Sequence, residues 1–264
     1  MRVVTTTCSN TEIVCALGCA ELLVGVDDHS DFPPEVVERL PRVGPDLGVD
    51  PAKVAALEPD LVIASYTVPG HEQVVASLRA AGLRVEAPEP VCIDHVYRDV
   101  RAIAGWLGVA ERGERLIAAM RAELDPPARA RRIPHARRPR ILVEWWPKPV
   151  IVPGRLSWVT ELIERAGGTN PWGHEAMKSR PVRDDEVREA RPDAVVIAWC
   201  GVRAEKYRPA VVARRAGWAG LAALERGRIY CVSEAYLGRP SPRLLDGFRA
   251  LSAIVAEIAD DSPA

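Results

Sequence analysis

An internal repeat constrains this sequence most. Residues 50–64 read DPAKVAALEPDLVIA and residues 184–198 read DDEVREARPDAVVIA, almost half the chain length apart. Each copy predicts a short amphipathic helix, a Pro-Asp turn at Pro59 or Pro192, and a continuous apolar strand. Such a run is typical of a parallel strand buried on both faces. Units of this kind also recur by chance in α/β proteins, but the half-length spacing favours two related lobes.

The remaining sequence alternates strand and helix patterns, which predicts an α/β fold of two Rossmann-like lobes with mainly parallel sheets. We place the N-terminal α/β lobe at 1–93, a long helical connector at 94–137 and the C-terminal α/β lobe at 138–264. Within the connector, the stretch Asp94–Leu124 predicts helix that is broken into two at Gly108.

Charge argues against a nucleic-acid partner. The formal net charge is −1, whereas nucleic-acid binders carry a dominant basic surface. The arginine-rich segment 129–140 is interleaved with prolines and alanines rather than stacking aromatics, which favours a solvated connector.

No apolar run reaches the roughly 18 residues of a membrane span, so we predict no membrane insertion. The opening residues lack an apolar signal-peptide core. This predicts a cytoplasmic location, or a periplasmic or cell-surface one if the true start lies upstream.

The cysteines lack the spacing of a disulfide framework. Buried, inert thiols are the favoured interpretation, and a metal site formed by the first three is the alternative. The six are Cys8, Cys15, Cys19, Cys92, Cys200 and Cys231.

Four aromatic residues follow apolar strands, namely Tyr66, Trp145, Trp146 and Trp199. Ligands of open α/β sheets bind at the carboxyl ends of the strands. Aromatic faces at that edge suit a large, flat, partly apolar ligand. The alternative is that these rings complete the core beneath the loops. The common dinucleotide, phosphate-loop, zinc-helix and nucleophile-elbow motifs are absent, so no catalytic residue, metal site or required cofactor is predicted.

A series of segments then resembles one family over nearly the whole chain: the substrate-binding proteins of ABC importers for cobalamin, ferric siderophores and haem. The segments are Arg2–Gly18, Leu40–Gly44, Val54–Ala64, Ala166–Asn170, Asp185–Ala198 and Gly238–Arg243. Trp145–Pro149 and Arg239–Arg243 are similar to segments of the cobalamin-binding branch. The resemblance implies a monomeric, non-enzymatic protein that reversibly binds cobalamin or a related corrinoid in the cleft between the lobes.

The resemblance also implies the ligand contacts. On the first lobe they are Asn10, Asp28, His29 and Tyr66, and on the second Trp145, Trp146, Trp199, Tyr236 and Arg239. Arg239 would donate to the corrin amides or to the phosphate of the nucleotide loop. Cobalt coordination by His29 or His174 is a further possibility.

Docking on an ABC permease would use one acidic residue on each lobe. Glu72 matches the first position, whereas Leu237-Gly238 stands near the second, with Glu234 close by. The match therefore leaves import through a permease, or intracellular handling of a corrinoid, as alternatives.

Two other functions remain open. A siderophore pocket would present several cations, and a haem pocket would supply a ligand such as Tyr66 or His29. A two-lobed transferase would instead present paired acidic groups facing each other.

Overall fold

The computed structural model describes residues 1–124 and 138–261. The chain divides into two compact units, Met1–Met120 and Arg121–Ala264. The α/β class with parallel sheets, predicted from the strand and helix pattern, is confirmed. Most of the arginine-rich segment 129–140 lies outside the described residues.

The first unit contains a four-stranded, fully parallel sheet in the order β2-β1-β3-β4. Its central strands are buried, as their apolar sequences require. The strands are β1 Val3–Thr5, β2 Leu23–Val26, β3 Leu61–Ile63 and β4 Val85–Glu86.

Within residues 1–124, six α-helices lie between or after these strands in the chain. They are α1 Cys8–Ala16, α2 Pro34–Val37, α3 Pro51–Ala56, α4 His71–Ala80, α5 Ile93–Trp106 and α6 Ala110–Leu124. The predicted break at Gly108 is confirmed, since this glycine has a φ of +73° between α5 and α6, where only glycine is unstrained.

The second unit contains two three-stranded sheets. One is parallel, in the order β10-β9-β5, and one is antiparallel, in the order β6-β7-β8. The strands are β5 Ile141–Glu144, β6 Trp146–Pro147, β7 Val150–Pro153, β8 Ser179–Val182, β9 Ala194–Ile197 and β10 Ile229–Cys231. The antiparallel sheet was not predicted.

The helices of the second unit are α7 Trp158–Arg165, α8 Asp184–Ala190, α9 Pro209–Ala213, α10 Ala222–Glu225, α11 Glu234–Leu237 and α12 Leu244–Asp260. In the described part of the chain, no helix has the length and apolarity needed to cross a bilayer.

The internal repeat is confirmed in the structure, and its two copies also share an unusual backbone conformation. Its two copies form α3 with β3 and α8 with β9, and both strands are buried throughout. Glu58 and Arg191 precede the repeat prolines, and they are the two non-glycine residues with positive φ in the described chain, at 47° and 45°. The residue before the proline therefore has the same left-handed backbone conformation in the equivalent turns of the two units.

The cysteine prediction is partly wrong. All six are free thiols, but Cys19 alone is fully buried, whereas Cys200 and Cys231 are exposed. Both exposed thiols stand at or just beyond strand ends rather than within the strands. Among residues 1–124 and 138–261, no group of three metal-ligating side chains is placed to hold a metal ion.

Candidate functional site

Each unit has loops at the carboxyl ends of its parallel strands, the edge at which α/β sheets bind ligands, and these loops are the candidate binding surface of that unit. In the first unit these loops follow β1, β2 and β3, and in the second they follow β5, β9 and β10. Five of the predicted contact residues lie in these loops: Asp28, His29, Tyr66, Trp145 and Trp199. The other four lie elsewhere: Asn10 in α1, Trp146 in β6, Tyr236 in α11 and Arg239 just after α11.

Asn10 is buried beneath the loop that follows β3. Its Nδ2 donates a hydrogen bond to the Ala64 carbonyl oxygen at 2.6 Å and lies 3.5 Å from that of Ile63. The amide is thus engaged with the backbone that leads to Tyr66. The structure gives it a supporting contact, and its predicted contact with a ligand stays a prediction.

A buried polar network lies behind the same edge, and sequence reasoning missed it. The hydroxyl oxygens of Thr5 and Thr11 are 2.7 Å apart, those of Thr11 and Ser30 are also 2.7 Å apart, and Ser30 donates to Asp27 Oδ1 at 2.5 Å. Burial raises the pKa of Asp27, and the Ser30 hydrogen bond partly opposes that rise. The network fixes the loop that carries Asp28 and His29.

Asp28 and His29 are exposed in this loop. The Nε2 atoms of His29 and His71 lie 3.7 Å and 3.6 Å from the two carboxylate oxygens of Asp46. His71 is buried, its Nδ1 accepts from the Val68 N–H, and its Nε2 faces Asp46. This contact with His71 lowers the pKa of Asp46. The sequence did not indicate that His71 is buried.

Tyr66 is half-buried and packs against the core of the first unit. Its hydroxyl accepts from Arg79 Nη1 at 3.4 Å. Val68 follows Tyr66 by two residues and is exposed, and the exposed side chain of Leu47 approaches Gly70 in the same loop.

Trp145 and Trp146 follow β5 in the second unit. The backbone of Trp145 is bonded on both sides, its N–H donating to Ile151 and its carbonyl accepting from Cys200. Trp145 is 9% exposed, whereas Trp146, on the short strand β6, is 41% exposed. Trp146 therefore presents the solvent-facing indole of the pair.

Trp199, beyond β9, lies in the core of the second unit at 6% exposure. Its indole N–H donates to Glu144 Oε1 at 2.8 Å, and its ring meets Tyr207 edge-on at 5.6 Å between centroids. The packing places most of this ring among core side chains.

Glu144 is a buried acid that the sequence analysis did not single out. The Nη1 and Nη2 atoms of Arg215 contact its two carboxylate oxygens at 2.5 and 2.8 Å. The guanidinium also lies over the Trp218 ring, 4.3 Å from its centroid. The sequence did carry a signal for this pair. The apolar strand ILVE ends in one acidic residue, and a carboxylate buried at that position requires a charged or hydrogen-bonding partner. Its pairing with a cation is unlike the paired acids expected of a transferase.

Tyr236 and Arg239 flank the end of α11 and are partly buried. Arg239 Nε lies 3.5 Å from Glu234 Oε2, and the Arg243 guanidinium lies 5.0 Å from the Tyr236 ring centroid. The cations of this segment are thus engaged with neighbouring side chains.

Glu72 is exposed in the first turn of α4, and its carboxylate accepts from the Gly70 N–H at 3.0 Å. His174 is also exposed, in the loop between α7 and β8.

Comparisons with known proteins place this arrangement in context. The family model described as periplasmic binding protein matches residues 3–236. An uncharacterised ABC transporter substrate-binding lipoprotein of Bacillus subtilis is 27% identical over 248 residues, covering 92% of this chain and 76% of the relative. The vitamin B12-binding protein of Vibrio cholerae is 25% identical over 237 residues, covering 89% and 82%.

Among solved structures, the periplasmic haem-binding protein of Roseiflexus sp. RS-1 aligns with a TM-score of 0.81 and 29% identity, covering 98% of each chain. The Bacillus relative is described as a lipoprotein and the Roseiflexus protein as periplasmic, so the cytoplasmic location predicted from the sequence is not supported.

Proposed function

Since the chain belongs to the periplasmic binding protein family, we propose that it reversibly binds cobalamin or a related corrinoid without converting it. The exposed indole of Trp146 at the carboxyl edge of the second unit carries this proposal. A corrin ring offers apolar faces for such a contact, and an aromatic platform contributes binding energy where water is displaced.

The charged residues near Trp146 and Tyr236 favour a ligand whose peripheral groups are uncharged. Arg215 is paired with Glu144, Arg239 with Glu234, and Arg243 lies over Tyr236. The carboxylates of haem or of an anionic siderophore would require cations that can leave their present partners, at a cost in desolvation and lost pairing. The amide fringe of a corrinoid makes hydrogen bonds without that exchange.

Haem is the second candidate. The Roseiflexus relative, described as haem-binding, is 29% identical to this chain. The half-buried Tyr66 offers a phenol at the strand edge, and tyrosine is one of the side chains that ligate haem iron.

The deciding experiment titrates the purified chain with hydroxocobalamin, haemin and a ferric siderophore in parallel, by tryptophan quenching and calorimetry. We expect one-to-one corrinoid binding at micromolar affinity or tighter, about 8 kcal/mol or more. The Trp146→Ala variant should weaken it, whereas Val211→Ala, an exposed apolar change on α9, should not.

Two other outcomes would contradict the proposal in different ways. Selective haemin binding that is weakened by Tyr66→Phe would establish the second candidate. Conversion of hydroxocobalamin, detected by mass spectrometry after release, would contradict a function limited to binding.

We further propose that the partner is an ABC permease and that Glu72 contributes to docking. Support comes from the family and from the exposed position of Glu72 on α4. Glu72→Ala should lower ligand transfer to a reconstituted permease and leave the ligand affinity unchanged. An unaltered transfer rate would remove Glu72 from the interface.

A further inference from the structure

Glu144 stands where the parallel sheet of the second unit meets the candidate site. It is the last residue of β5, fully buried, and directly precedes Trp145 and Trp146. A buried carboxylate is tolerated only when charge and hydrogen bonds compensate for lost water. Three donors do so here: both terminal nitrogens of Arg215 and the indole N–H of Trp199.

Arg215 reaches beyond this carboxylate. Its Nη2 also donates to the Pro147 carbonyl oxygen at 3.3 Å, and its guanidinium lies over Trp218. The Trp218 indole in turn donates to Asp184 at 2.7 Å. One guanidinium therefore holds Glu144 and Pro147, the residues on either side of the tryptophan pair.

We propose that Glu144 and Arg215 are positioning residues that hold Trp146 in its ligand-binding orientation. The proposal rests on the proposed function, because it assigns Trp146 to the ligand. A bidentate arginine–carboxylate pair fixes the plane of both groups, which a single-point contact does not. The exposed Trp146 ring is then oriented by the clamped backbone on both sides of it. Preorganisation of this kind lowers the ordering cost that binding would otherwise carry.

A merely structural ion pair would behave differently. It would lower the melting temperature when broken and leave the affinity of the folded protein and the environment of Trp146 unchanged. Affinity and Trp146 accessibility are therefore the deciding readouts, each measured well below the melting temperature of the variant.

The principal variant is Arg215→Lys, which keeps the charge but loses the planar, two-point contact. The matched control is Asp261→Asn, which breaks the Arg228–Asp261 ion pair, 3.1 Å long, at the amino end of β10. Calorimetry gives the corrinoid affinity. Acrylamide quenching, compared with a Trp146→Phe background, isolates the Trp146 contribution.

We expect Arg215→Lys to weaken corrinoid binding by about tenfold and to change the quenching of Trp146, with neither effect in Asp261→Asn. Unchanged affinity and unchanged quenching in a folded Arg215→Lys protein would overturn the proposal.

If Arg215→Lys does not fold, the double variant Glu144→Gln/Arg215→Met removes both charges together and leaves none buried alone. The same two readouts then apply, with the same outcomes. Absence of corrinoid binding by the unaltered protein would contradict the proposed function instead. In that case the quenching comparison still decides whether the pair orients Trp146.

Discussion

Trp145 and Trp146 are consecutive in the chain, yet the first is 9% exposed and the second is 41% exposed. This difference in exposure arises because the chain enters strand β6 at these two residues. Trp146 pairs with Ile151 in the antiparallel sheet, and successive side chains of a strand point to opposite faces. One indole therefore faces the interior and its neighbour faces solvent.

This alternation predicts opposite effects of two alanine substitutions. Trp145→Ala should lower the free energy of unfolding by about 3–5 kcal/mol, the range for removing a buried aromatic ring. Trp146→Ala should change it by less than about 1 kcal/mol while weakening ligand binding. Urea unfolding and calorimetric titration on the same preparations measure both effects. If Trp146→Ala bound as tightly as the unaltered protein, Trp146 would not be a ligand contact.

Asn10 provides a second test. Asn10→Ala removes the donor to the Ala64 carbonyl, and we expect a loss of about 1–3 kcal/mol in the free energy of unfolding because a buried acceptor loses its partner. Asn10→Asp, similar in shape but without the donor, should lose at least as much. A weaker ligand affinity at unchanged stability would show instead that Asn10 contacts the ligand, as the family resemblance implied.

The two turns of the repeat are positions where substitution by glycine should stabilise the protein. Glu58 and Arg191 are exposed and have positive φ, a conformation that costs side-chain-bearing residues energy and glycine little. Glu58→Gly and Arg191→Gly should each raise the free energy of unfolding by about 0.5–1 kcal/mol. Lys53→Gly, inside α3, is the control and should lower it by about 1 kcal/mol. Destabilisation by both turn glycines would mean that their side chains make compensating contacts.

The sequence predicted what depends on local pattern. The repeat located α3 with β3 and α8 with β9, because helix periodicity and an apolar strand are properties of adjacent residues. It could not predict that Arg215 pairs with Glu144, since the two lie 71 residues apart and arginine-rich chains offer many partners. Position at a strand end placed Trp146 and Trp199 at the same edge, but packing decides which ring faces solvent. The antiparallel sheet was hidden by the proline-rich segment 145–149, which resembles a loop.

Asp27 predicts how stability depends on pH. Burial raises its pKa, so the folded protein holds this proton more tightly than the unfolded chain, whose carboxyl titrates near its ordinary value of about 3.9. The contribution of Asp27 to stability is therefore complete below that value and is lost as the pH rises through the raised folded-state pKa. Asp27→Asn has no such proton to lose. Urea unfolding from pH 3.5 upwards should show the stability difference between the unaltered protein and Asp27→Asn falling with pH.

Ser30→Ala sharpens that test. The Ser30 hydroxyl donates to the Asp27 carboxylate and stabilises its charged form, which opposes the effect of burial. Removing it should raise the pKa of Asp27 further and extend the loss of stability to higher pH. The denaturant slope should stay constant, so that the change reports protonation rather than a less compact fold. A stability difference that rose with pH would mean that the hydrogen bonds of the Thr5–Thr11–Ser30 network outweigh burial and favour the ionised carboxylate.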